Sequence, residues 1–524
     1  MKIFSFLLAV LTIPILSMAQ GMIIPKPVQM EILQADTVVI GAGTIIYSDA
    51  SFFSDANLLS ALLKKYTGYN IPVKKGISSG GKNDISLIRS KDTLNYPSEA
   101  YSVLADKKGI TIIAGDGAGI YYGGITMLQL LTRDTSAGES FNLPSIAIRD
   151  QPRFKWRGLM LDCSRTLISV GHLKRTIDRM SFYKLNTLHL HLTDDQGWRL
   201  QIKQRPLLTT KGAFFADNYH EPKEFEGFYS QEQIKDIIRY ASLRHIQIIP
   251  EIEAPGHSSA AIHAYPHLSC SERVVPIYPL LAGSPAPPND VFCAGNEGTY
   301  QFFEDVLKET AGLFSSPFIH LGGDEVSKHH WKECNKCQAK IKSEKLKNEE
   351  ELQRYLMNRV SKTVIDAGKR PIGWDEVMEG NIGKNWLIMA WRGEQKGMEA
   401  ASLGYDVVMS PTTHLYFDYR HITTPTKKVY SYEPIPDTSL ALTNKVLGIQ
   451  ANFWSHIERT ESRIDFMLFP RSLALAERAW SERSVKDYED FNKRKIHHFK
   501  WLKFFDVKFN GNDDPEPSPW DLVW

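Results

Sequence analysis

A chain of 524 residues has room for two or three domains, and 43% hydrophobic with 23% charged residues is ordinary for a soluble globular protein. Lys+Arg 62 against Asp+Glu 60 leaves a formal charge of +2, so nothing in the charge balance suggests a nucleic-acid partner. Past the N-terminus no run is apolar and long enough to span a membrane.

The first element is an export signal, residues 1–19. Lys2 supplies the positive start, residues 3–16 the apolar stretch and Ser17-Met18-Ala19 the small-residue cleavage site. A mature chain then starts near Gln20, exported to a periplasmic or extracellular space. Residues 20–150 read as a small α+β domain. Strands are expected at 38–40 and 44–47, a helix at 56–66, a hairpin of 101–105 with 109–114, and a helix at 117–131.

From Arg153 the pattern changes. Short apolar runs alternate with amphipathic stretches, as βα units do. Eight strands are expected, at 158–162, 187–192, 246–252, 318–322, 371–374, 387–391, 406–410 and 446–451. Helices at 173–185, 231–243, 300–313 and 350–367 fit between them. Eight such repeats predict a (β/α)8 TIM barrel over 151–505, with an α/β fold class overall. Residues 411–445 form the longest loop, and 506–524 a Pro- and Asp-rich tail.

Five cysteines follow the export signal. Cys163 lies in an apolar strand and reads as a buried free thiol. Cys270 and Cys293 bracket a Pro-rich loop and suit a disulfide in an exported chain; Cys334 and Cys337 suit either a second, small one or half a metal site. No second pair is seen to complete a zinc set, so no metal site and no cofactor are read.

In a TIM barrel the active site lies at the C-terminal strand ends. Polar and aromatic residues gather there: Asp162 to Arg165, Asp194 to Arg199, Glu251 to His257, Trp374-Asp375-Glu376, Trp391-Arg392 and Trp454-Ser455-His456. The most informative run is His320-Leu321-Gly322-Gly323-Asp324-Glu325. Two adjacent carboxylates in one cleft separate in pKa, so one can act as an acid while the other stays charged. That pairing suits cleavage of a glycosidic bond.

These blocks together resemble the β-N-acetylhexosaminidases of glycoside hydrolase family 20. The resemblance is carried by 320–325, 188–199, 250–257 and 373–376, and extends to the small domain before the barrel. It implies an exo-acting enzyme for glycans ending in N-acetylglucosamine or N-acetylgalactosamine. It also implies a retaining mechanism in which the sugar's own acetamide attacks the anomeric carbon. Glu325 matches the general acid, and Asp324 the carboxylate that orients the acetamide. Arg165, Trp374, Trp391, Tyr416, Asp418 and Trp454 match sugar-binding positions; Asp194, Glu253, His257 and His320 match supporting ones. One departure stands out: His456 replaces a glutamate that usually follows Trp-Ser and binds the sugar's O4 and O6. Two readings of that change stand open: His456 simply hydrogen-bonds a sugar hydroxyl, or the pocket tolerates or prefers a 6-substituted, including a 6-sulfated, N-acetylglucosamine.

Two other readings have sequence support. His189 and His191 share one face of a strand. With His257, His320 and Asp324 they suit a metal-dependent barrel hydrolase. A non-catalytic sugar-binding barrel would need the tryptophans but no acid in protonating position.

Overall fold

The computed structural model describes residues 22–76, 81–134, 140–216, 219, 221–279, 290–380 and 382–511. The export signal and most of the C-terminal tail read from the sequence lie outside these residues. The chain divides into two units, one running to Arg153 and rejoined by Trp480–Trp501, the other built from Phe154–Ala479 and the described residues from Leu502 on. The sequence reading ran the barrel through residue 505, whereas the segment Trp480–Trp501 groups with the first unit.

The first unit is an α+β layer. Its sheet runs in the order Gln29–Ile40, Ser140–Asp150, Tyr101–Asp106, Gly109–Ala114, Ile85–Arg89, Ile46–Ser48, Val73–Lys75, with Thr132–Asp134 paired to Ser140–Asp150. The expected hairpin is present, Tyr101 opposite Ala114 and Asp106 opposite Gly109. Gly117–Leu130 packs on it as a helix buried along nearly its whole length, capped by Asp116, whose side chain accepts from the Gly119 N–H. The strands at Ile85–Arg89 and Ser140–Asp150 escaped the sequence reading, because pairing rather than composition makes them strands.

The second unit is a closed barrel of eight parallel strands. In chain order they are Trp156–Asp162, Thr187–His191, Gln247–Glu251, Phe318–His320, Arg370–Trp374, Leu387–Ala390, Asp406–Met409 and Val446–Phe453, and the last pairs with the first. All eight expected strands are present, shifted at their ends by a residue or two. Helices start where the sequence supplies caps: Ser169 before Val170–Phe182, Ser230 in a reciprocal capping box with Gln233, and Asn348 before Glu349–Asp366. An apolar cluster of Trp156, Ile249, Ile372, Leu387, Met389 and Val408 fills the interior, with Trp374 packed on it.

Register decides what stands at the open end. His191 lies beside both Asp162 and Glu251, and Glu251 lies beside His320. Four neighbouring strands therefore finish in polar side chains at one level.

The cysteines depart from expectation. All five are free thiols; Cys163 is buried, as read. Neither the Cys270–Cys293 nor the Cys334–Cys337 disulfide is formed. Cys270 instead lies 3.7 Å from Cys337, and Cys293 lies 3.7 Å from Cys334 and 3.6 Å from Cys337, sulfur to sulfur. Cys293 and Cys334 are 41 positions apart, so local spacing pairs neither with the other; the fold lays the strand-three and strand-four loops side by side.

Candidate active site

The strand-four loop is built around close approach. Gly322 has φ +64°, and a Cβ there would stand 1.7 Å from a Glu253 carboxylate oxygen, so only glycine fits. Two non-glycine residues nearby also hold left-handed backbone, Glu325 and His257, each with φ 47°. Such conformations in L-residues persist where surrounding structure enforces them, and they cluster at functional sites.

The turn sets the two carboxylates in different surroundings. Asp324 is only 8% exposed, and its Oδ1 is buried without a hydrogen-bond partner among the described residues. The Glu325 side chain is 62% exposed. His257 sits between them, with Nε2 3.5 Å from Asp324 Oδ2 and 3.7 Å from Glu325 Oε2. Its Nδ1 lies 3.2 Å from Asp194 Oδ1. Burial opposes charge on this imidazole, but Asp194 and Asp324 outweigh it and hold its pKa well above the ordinary value.

Asp194 joins this pair to Arg165. Its Oδ2 lies 2.6 Å from Arg165 Nη2, and Arg165 Nε donates to Gln196 at 3.1 Å. The guanidinium lies over the Trp454 ring, 4.8 Å from its centroid. Arg165, His257, Asp324, Glu325, Trp374, Trp391, Tyr416, Trp454 and His456 line one pocket of about 240 Å³. Trp374 and Trp454 stand with ring centroids 6.2 Å apart, and Tyr416 lies 6.3 Å from Trp391. Nine positions proposed from sequence thus share one cavity.

The rest lie around or beneath it. Asp418, not among the lining residues, accepts a hydrogen bond from the Trp454 backbone N–H; burial pushes its carboxyl up to about 7. Glu253 is buried against Gly322; burial, Asp324 and Glu251 raise its pKa well above the carboxylate range. His456 is half-buried, and burial together with Arg165 lowers its pKa, so the ring is neutral near pH 7.

Glu251, which the sequence places at the end of strand three without a role, is the hub beneath the site. His191 Nδ1 hydrogen-bonds it, His320 Nδ1 lies 2.9 Å away and His189 Nε2 3.1 Å away. The Trp374 indole N–H donates to it at 2.8 Å. Three histidines of the set suited to a metal-dependent hydrolase, His189, His191 and His320, therefore gather around one carboxylate that also aims a wall of the pocket, while His257 stands apart between Asp194 and Asp324. The spacing of Glu251 and Glu253, two apart on one face, was the available signal. Glu376 was also unassigned. Trp391 donates to both its oxygens, at 3.1 and 2.9 Å, while burial, Asp324 and Asp375 push its carboxyl up to about 8.

A closed (β/α)8 barrel with paired carboxylates facing aromatic walls at its strand C-termini defines the glycosidase class of site. The model of the glycosyl hydrolase family 20 catalytic domain matches residues 154–483, and that of the family's domain 2 matches residues 20–151. The chain belongs to glycosyl hydrolase family 20. A β-hexosaminidase of Porphyromonas gingivalis is 37% identical over 490 residues, 90% of this chain and 62% of that protein, so the chain spans about three-fifths of that relative. Among solved structures, an exo β-N-acetylglucosaminidase from Vibrio harveyi in complex with N-acetylglucosamine superposes with a TM-score of 0.84 at 32% identity, covering 95% of this chain and 79% of the other. The β-N-acetylhexosaminidase from Bacteroides fragilis superposes with a TM-score of 0.82 at 30% identity, covering 94% and 98%.

Proposed function

We propose that the protein is an exo-acting β-N-acetylhexosaminidase that removes a terminal, non-reducing N-acetylglucosamine or N-acetylgalactosamine with retention of configuration. The observation that carries this reading is Asp324: a buried carboxylate oxygen with no partner among the described residues, in an aromatic pocket, next to an exposed Glu325. A buried unpaired acceptor is costly unless a ligand satisfies it. The N–H of a sugar's 2-acetamido group is a donor of the right kind.

The chemistry follows from these positions. Asp324 accepts from the acetamide N–H, which makes the carbonyl oxygen more nucleophilic and stabilises the positive charge that develops on the amide. That oxygen attacks the anomeric carbon while Glu325 gives its proton to the leaving glycosidic oxygen. The C1–O bond breaks and an oxazolinium ring closes. Glu325, now ionised, takes a proton from water; the water oxygen bonds C1 and the ring opens. Tyr416 lines the acetamide side as a hydroxyl donor to the amide oxygen, and Arg165 faces the ring hydroxyls. Trp374, Trp391 and Trp454 supply apolar walls that exclude water. Export, read from residues 1–19, belongs to this proposal; N-terminal sequencing of the secreted protein, with Gln20 first, supports it.

The experiment compares 4-nitrophenyl N-acetyl-β-glucosaminide with the β-glucoside that lacks the amide. Turnover of the first, with none measurable of the second, is expected. Equal turnover of both would sink the acetamide mechanism.

The same pocket is proposed to admit a 6-substituent. His456 lines it as a neutral ring, so it meets a 6-sulfate as a hydrogen-bond donor and presents no carboxylate to repel it. The kcat/KM ratio for 6-sulfated over plain substrate is expected to fall at least tenfold in H456E. An unchanged ratio removes this part of the reading.

A further inference from the structure

We propose that Cys270, Cys293, Cys334 and Cys337 form a tetrahedral thiolate site for one structural zinc ion, which ties together the loops carrying His257 and Asp324-Glu325. The site lies outside the sugar pocket, and the inference goes beyond the glycosidase reading.

The sulfur geometry is the first ground. All four Sγ atoms lie within 4.8 Å of one another. Three of the separations are 3.6, 3.7 and 3.7 Å. Zinc–thiolate bonds of about 2.3 Å at tetrahedral angles put sulfurs about 3.8 Å apart along each edge. Cys337 is nearly equidistant from Cys270 and Cys293, and Cys293 from Cys334 and Cys337. Two disulfides would single out one neighbour for each sulfur. A shared cation at the centre of the set treats them alike.

The surrounding backbone is the second ground. Cys334 is the N-cap of the helix Asn335–Ser343 and Cys337 lies in its first turn, where the helix's positive end favours thiolates. The Gly295 backbone N–H points at the sulfurs of both Cys293 and Cys337. Donors of that kind tune and orient metal ligands. A Cβ on Gly295 would stand 2.1 Å from the Lys336 carbonyl carbon, so only glycine lets this loop lie on the Cys334–Cys337 turn.

The connections explain what the ion would hold. Phe292 donates its N–H to the Pro255 carbonyl at 3.0 Å, two residues before His257. The buried Trp331 donates its indole N–H to the Phe292 carbonyl at 3.0 Å, on the segment that leads from Glu325 to Cys334. The Cys293 N–H reaches the Leu268 carbonyl at 2.7 Å. The cluster therefore anchors both catalytic loops from behind, by a closed set of soft ligands with no open position for substrate.

The test begins with the unmodified protein, purified without added metal or a metal-affinity tag. Mass-spectrometric metal analysis is expected to give one zinc per chain. Thiol titration in denaturant with chelator is expected to give five thiols, the whole cysteine content. Cobalt replacement is expected to show the sulfur-to-metal charge-transfer bands of a tetrahedral tetrathiolate. C293S is expected to lose the zinc and lower the Tm, whereas C163S keeps both. A metal-free protein with one titratable thiol means two disulfides and overturns the proposal; so does a metal-free protein with five thiols that takes up no cobalt. Iron in place of zinc would overturn the assignment of the ion. None of these outcomes depends on glycosidase activity, and the native measurements stand even if C293S does not fold.

Discussion

The two halves of the barrel's open end are built from different materials. Strands one to four deliver charge: Arg165, Asp194, His257, Asp324 and Glu325 stand in one chain of contacts from guanidinium to carboxylate. Strands five to eight deliver surface: Trp374, Trp391, Tyr416 and Trp454 form walls, and two of them turn their indole N–H to a carboxylate behind. The Trp374 N–H is spent on Glu251 and the Trp391 N–H on Glu376. On the proposed function, one half handles protons and developing charge, and the other shapes the sugar and keeps water out. In low dielectric the charged half acts more strongly than it would in water, so each half depends on the other.

That division can be broken most severely at Glu325. E325Q keeps the shape and removes the proton, and a fall in kcat/KM of about 10²–10⁴ is expected on a natural disaccharide, with a smaller loss on a substrate whose leaving group needs no proton. Equal losses on both would mean that Glu325 is not the acid. D324N is expected to cost about 10²–10³ in kcat, because a neutral amide cannot stabilise the charge on the oxazolinium. A loss confined to KM would move Asp324 from chemistry to mere binding. On the other half, W454A removes the ring beneath Arg165 and is expected to raise KM about tenfold with a smaller change in kcat. A loss chiefly in kcat would show that the aromatic wall is not passive.

The smallest expected effect sharpens the boundary between the halves, where Glu376 faces Asp324 behind Trp391. Its carboxyl is raised from 4.5 to about 8 in the fold, so the folded chain favours the neutral form. Stability from this group is whole below pH 4.5 and is lost as pH rises to about 8, because the unfolded chain ionises first. E376Q lacks that loss. Its Tm relative to the parent is expected to climb by a few degrees between these limits and then level off. A gap independent of pH would mean that Glu376 is ionised throughout.

Local pattern made the barrel readable. An alternation of apolar strand runs with helical periodicity is written in short stretches of chain, and all eight expected strands formed. The residues at the strand ends were legible for the same reason, since polarity abruptly following an apolar run marks a rim. Nine of the thirteen positions proposed for the site line the pocket together, and Asp194, Glu253, His320 and Asp418 stand around or behind it.

What could not be read are relations between distant segments. Register between parallel strands put His189, His191, His320 and Trp374 around Glu251, and no spacing along one strand announces that. Packing of one loop on another gathered four cysteines that were read as two local pairs. Chemical type and local geometry are properties of neighbouring residues, whereas partnership and the energy of a buried charge depend on who arrives from elsewhere in the chain; for this protein, chain order established the carboxylate pair and its barrel, and tertiary packing alone chose the company they keep.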